Sequence, residues 1–144
     1  MKIKHLVEST RPQVPFMKMM ADFLPLAMKE LGIDTLPHFE MLLHVEDLEQ
    51  PTFGRFVNDE NKIYFAIEDR HPLDVLRTLA HELVHYKQGT EHELDATSGE
   101  TGSPIENEAH AIAGVIMRNF NKAHPEYFNK SAIDINKLSD QPVT

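Results

Sequence analysis

The stretch Pro72-Leu73-Asp74-Val75-Leu76-Arg77-Thr78-Leu79-Ala80-His81-Glu82-Leu83-Val84-His85 carries two patterns at once. Leu76, Leu79, Ala80 and Leu83 recur at helical spacing and fall within an arc of roughly 100°, the mark of a face turned to a core. On the opposite side stand His81 and His85. At about 3.6 residues per turn they project roughly 40° apart, so both imidazoles reach one ion. Glu82 lies roughly 100° from His81, close enough to address a water on that ion without ligating it. An H-E-x-x-H pentad on a helix is therefore half of a zinc site with a general base beside it. Asp74 and Thr78 share the histidine face, where they would support the ligands or touch a substrate. Chance gives about 0.05 such pentads in a chain of this composition, so the motif is moderately specific. The bland alternative is an exposed helix with histidines on its wet side.

Composition frames the site. A chain of 144 residues suits a single domain with a core that needs no disulfides. The expected core spans about 15–122, with peripheral termini. A formal charge of −9, without a Lys/Arg cluster, argues against nucleic acid or anionic membrane as a partner. With no cysteine, any metal must be held by His and carboxylates. Met1-Lys2-Ile3-Lys4-His5 lacks the apolar run of a signal peptide, and no later stretch is long enough to span a bilayer. A cytoplasmic protein is expected.

Outward from the pentad, the order of elements reads as α+β. Pro15 to Leu31 is predicted helical, ended by Gly32, with Pro25 forcing a kink or break. Three strands are expected, His38 to Val45, Thr52 to Val57 and Lys62 to Ile67, in a small, mostly antiparallel sheet. Asn58-Asp59-Glu60-Asn61 forms the turn between the last two, and Gly54 marks a bulge or a close backbone approach. Pro72 opens the pentad helix and Gly89 closes it. A second helix runs from Pro104 to about Lys122, and a further helix is expected after His124-Pro125. The methionines Met17, Met19, Met20 and Met28 fill the core. Glu46-Asp47-Leu48-Glu49 reads as a solvated loop. His5, His38, His44 and His71 read as surface or hydrogen-bonded residues.

A hydrolytic zinc site takes three protein ligands and keeps a position for water. The leading third ligand is Glu106, in the first turn of the helix after Pro104. Ala109, Ala113 and Gly114 lie near its side and would let the two helices approach closely. His110 projects the same way and would orient a ligating imidazole. Three readings compete: Ser103-Pro104-Ile105-Glu106 is also a capping box, which would leave ligation to Glu108; His92 matches another zincin spacing, although Gln88 stands where that class has Gly; or no third ligand exists.

His81-Glu82-Leu83-Val84-His85 followed by Glu106-Asn107-Glu108-Ala109-His110 resembles the gluzincin signature, H-E-x-x-H then E-x-x-A-D or E-x-x-A-N. In size and order the chain is similar to compact metallopeptidases of the ImmA/IrrE type, some carried by bacteria and phages. The resemblance covers about residues 73–118 and departs at His110, where the family has Asp or Asn. It implies a zincin-like fold, one Zn2+ held by His81, His85 and Glu106, Glu82 as the catalytic base, and a peptide or protein substrate. If phage-encoded, the protein would act in the host cytoplasm.

The chemistry expected of such a site is hydrolysis of a peptide bond. Zinc brings the pKa of water toward about 7, and Glu82 takes the proton and passes it to the leaving amine. His124, Tyr127, His92 and Tyr64 are the candidates for an additional oxyanion donor. The strand at Lys62 to Ile67 is expected to be the sheet edge that pairs with substrate. Two other function classes stay open: a noncatalytic protein stabilised by metal, and a regulatory protease dedicated to one partner.

Overall fold

The computed structural model describes residues 2–4, 14–48, 52–91 and 103–129. Helix α1 spans Val14–Leu31 and ends in the motif its Gly32 permits. Gly32 adopts φ +68°, its N–H bonds the Lys29 carbonyl, and the Ile33 N–H reaches back to Met28. Pro25 does not break the helix. Both Pro25 and Ala21, whose carbonyl loses its partner, lie on the exposed side, where solvent serves instead.

The sheet departs from expectation. Four strands, β1 (Lys2–Lys4), β2 (His38–Leu42), β3 (Gly54–Val57) and β4 (Lys62–Ala66), lie in the order β1-β2-β4-β3. β1 and β4 each pair parallel with β2, and only β3 and β4 are antiparallel. The sheet is therefore mixed rather than mostly antiparallel, and it holds one strand more than expected. The cause is the β3/β4 hairpin: it reverses the chain on the outer flank and returns β4 alongside β2, in β2's own direction. The strand expected at the edge, Lys62 to Ile67, is thus interior. The edge is β3. A two-sided burial pattern agrees, because Phe39 and Met41 of β2 are buried on one face and Glu40 and Leu42 on the other.

Helices α1, α2 (Pro72–Glu91) and α3 (Pro104–Ala123) supply the other layer. Phe39, Met41, Ile63 and Phe65 meet Met19, Phe23, Leu76, Leu79, Leu83, Ile116 and Phe120 in one core. On the far face a short 3-10 turn, Val45–Leu48, packs its Leu48 on Leu42 and Ala66. The C-terminal helix expected after Pro125 is a 3-10 turn, Pro125–Asn129. No described helix is long and apolar enough to cross a membrane.

α2 is the axis of the molecule. His71 caps its start, the ring Nδ1 accepting the Leu73 N–H at 3.1 Å. Gly89 does not end it, since the helix continues to Glu91. Leu76, Leu79, Ala80 and Leu83 are fully buried, as the periodicity required. Yet the opposite side is not wet, because Glu82, His85 and Gln88 are buried too. β3 covers one flank and α3 the other.

Candidate metal centre

Along the flank of α2 that faces β3, Thr78, Glu82 and Tyr86 stack at four-residue spacing. Gly54 is the reason β3 can lie so close. A Cβ built there would stand 2.3 Å from the Thr78 Cγ2 and 3.4 Å from the Glu82 Cγ. Two residues on, the Phe56 ring meets Tyr86 edge-on at 5.8 Å, and the Phe56 N–H donates to Glu82 Oε1 at 2.9 Å. Burial pushes the Glu82 carboxyl up to about 7, against the pull of His85 and of the Phe56 N–H. A carboxyl with that value exchanges protons near neutrality.

The flank facing α3 carries the histidines. Ser103 caps α3, its Oγ accepting the Glu106 N–H at 3.0 Å, and Pro104 begins the first turn. The capping reading is thus half right. The Glu106 carboxylate itself spans both imidazoles, Oε1 at 2.6 Å from His81 Nε2 and Oε2 at 2.9 Å from His85 Nε2. Ala109 and Ala113, both buried, bring α3 in at this level. Gly114 plays no such part, because a Cβ there would meet nothing within 4 Å.

His81, His85 and Glu106 form the one group among the described residues able to hold a metal, with one ligand atom from each within 4.8 Å of the others. Tetrahedral zinc with bonds of about 2.0–2.1 Å would set its ligand atoms roughly 3.3 Å apart, so the two contacts of Glu106 with the imidazoles, at 2.6 and 2.9 Å, would each open by less than about 1 Å. The side chains of His81 and Glu106 are 17% and 23% exposed, which leaves the centre a path to solvent. Burial holds His81 below the usual histidine range, opposed by Glu106. A neutral His81 keeps a lone pair for an ion. The donor set, two imidazoles and a carboxylate, suits Zn2+.

Gln88 was not foreseen as part of this centre. It is 2% exposed and fully engaged: Oε1 lies 2.7 Å from His85 Nδ1, while Nε2 donates to the Ile105 carbonyl at 3.0 Å and to Glu108 Oε1 at 2.9 Å. Glu108 is therefore committed to Gln88 and lies outside the metal-binding trio. A polar residue one turn beyond His85 was the available signal. Arg70 was also missed. Buried behind the β3 end of the site, it donates to the Ala66 and Asp74 carbonyls and to Thr78 Oγ1, and it lies under the Phe53 ring at 4.2 Å.

The remaining candidates are scattered. His110 is exposed, and its ring lies 6.0 Å from His81, edge-on. Asp74 is exposed, and its carbonyl accepts from Arg70 and Thr78. Tyr127 donates to Asp22 of α1 at 2.6 Å, and His124 pairs with Glu126 at 3.2 Å and stacks near Phe120. The described contacts of both residues join α1 to α3 and touch none of the trio. Tyr64 is bonded to Glu60. His44 pairs with Glu68, and His38 is exposed. His5 and His92 lie outside the described residues.

No family model, curated protein or solved structure matches this chain.

Proposed function

We propose that this protein is a zinc-dependent peptidase of zincin type, related to the gluzincins, that hydrolyses a peptide bond in the cytoplasm. The observation that carries the reading is the convergence of His81 Nε2, His85 Nε2 and the Glu106 carboxylate from two helices, with the buried Glu82 carboxyl next in chain. A bound zinc ion would supply Lewis acidity to a carbonyl and to water. The protein's own groups do the rest. His81, His85 and Glu106 hold the centre, and Glu82, poised near neutrality, accepts a proton and returns it to the leaving nitrogen. β3 is the edge strand beside this flank of α2, with its Phe56 N–H on Glu82, so an extended substrate adds there as a further strand through the groups β3 still has free. The cysteine-free composition suits a reducing compartment.

One observation favours a second reading, a noncatalytic protein that keeps the metal for stability. Glu82 is 8% exposed and already bonded to β3. Glu82→Gln separates the two. The peptidase reading expects wild-type zinc content by elemental analysis and loss of at least about a hundredfold in cleavage of a quenched peptide library or of lysate proteins. Equal cleavage by the two forms would sink it.

A further inference from the structure

We propose that Gln88 is the positioning residue of the metal centre, fixing the tautomer of His85 and the seat of Glu106 with a single side chain. The inference rests on the metal reading above and goes past it, to how the ligands are held before any ion arrives.

The orientation of the amide is determined by its partners. The Ile105 carbonyl and the Glu108 carboxylate only accept, so the Gln88 NH2 group must face them, at 3.0 and 2.9 Å. Oε1 is thereby turned to His85 Nδ1, at 2.7 Å. An oxygen there requires a proton on Nδ1. In neutral His85 the lone pair therefore sits on Nε2, the atom that faces Glu106 at 2.9 Å. Two acceptors then point at each other, and only a cation or a proton between them relieves the contact. Gln88 thus sets His85 in its ligating form.

The same amide acts on the third ligand. Ile105 and Glu108 flank Glu106 in the first turns of α3, and both bond to Gln88. The start of α3 is pinned to α2 at the level of His85, so the Glu106 carboxylate arrives where both imidazoles point. One buried side chain ties the second ligand to the third. A leucine there would keep the packing and lose all three bonds.

The test uses Zn2+ titrated against a chromophoric chelator, with 15N spectra of the His85 ring in metal-free protein at alkaline pH. Gln88→Leu is expected to weaken Zn2+ binding about 10–100-fold and to shift the tautomer balance of His85 away from Nδ1–H. A purely structural role would lower the unfolding midpoint and leave the tautomer in place. Glu108→Ala, at an exposed position, keeps the test open should Gln88→Leu not fold. It should shift both readouts in the same direction by a smaller factor, and Glu108→Gln, which retains an acceptor oxygen, should restore them. Wild-type zinc affinity in Gln88→Leu, or an unchanged His85 tautomer, overturns the proposal. If the wild type binds no Zn2+, the metal reading falls, and the ring spectra still decide what Gln88 does.

Discussion

Gly54→Ala tests the packing of β3 on α2, on which the seat of Glu82 depends. The new Cβ would lie 2.3 Å from the Thr78 Cγ2, where carbon contacts want about 3.5–4.0 Å, so β3 must lift by over about 1 Å. Overpacking of this kind costs about 1–3 kcal/mol. The loss of glycine's freedom in the unfolded chain returns about 0.4–1 kcal/mol, so a net destabilisation of about 1–2 kcal/mol is expected in denaturant unfolding. Thr78→Ser removes Cγ2 and keeps the hydroxyl that Arg70 bonds at 2.6 Å. The next obstacle is the Glu82 Cγ at 3.4 Å, which a small adjustment accommodates. In the Thr78→Ser background, Gly54→Ala should therefore cost almost nothing. The double-mutant cycle should return a coupling of at least about 1 kcal/mol. Additive costs would refute the close approach, and with it the account of how the Phe56 N–H comes to Glu82.

Glu82 gives a pH signature in metal-free protein. Its folded value, about 7, lies above the ordinary 4.5, so its stabilisation is whole below about 4.5 and is lost as pH rises through about 7. Glu82→Gln stays neutral and should gain about 3 kcal/mol on the wild type between pH 5 and 8, read from denaturant midpoints in excess chelator; parallel pH profiles would contradict the burial argument. Glu106→Ala should weaken Zn2+ binding at least about tenfold in chelator competition, and an unchanged affinity would remove Glu106 from the ligands. Tyr127→Phe, losing its bond to Asp22, should cost about 1 kcal/mol in thermal unfolding and leave zinc affinity alone. A changed affinity would tie Tyr127 to the centre after all.

Local pattern explains what was legible. The apolar arc of α2 and the spacing of His81 and His85 lie within one helix, where periodicity fixes direction. The Ser103 cap and Pro104 likewise announce the start of α3, and so the place of Glu106. The sheet was harder because its order depends on pairs far apart in the chain. Lys2 pairs with Glu40, and β2 with β4 across the whole β3 hairpin. Strands of 3–5 residues carry too little pattern to separate interior from edge. Gln88 was hidden for another reason: an amide has no preferred partner until the fold supplies one. His124 and Tyr127 stood out because their chemistry suits an oxyanion donor, and the bond that holds Tyr127 could not be read beforehand, since Asp22 lies 105 residues away in sequence.

The hairpin and α2 follow one another directly, from Gly54 to Glu91, and this succession bears on how the protein folds. The base, two imidazoles and Gln88 all belong to one contiguous ββα unit whose contacts close short loops. Such a unit nucleates cheaply, whereas Glu106 joins only when α3 docks, 21 residues beyond His85. Amide exchange should accordingly rank β4 and α2 as the slowest to open, and the first turn of α3 as the segment a chelator releases first.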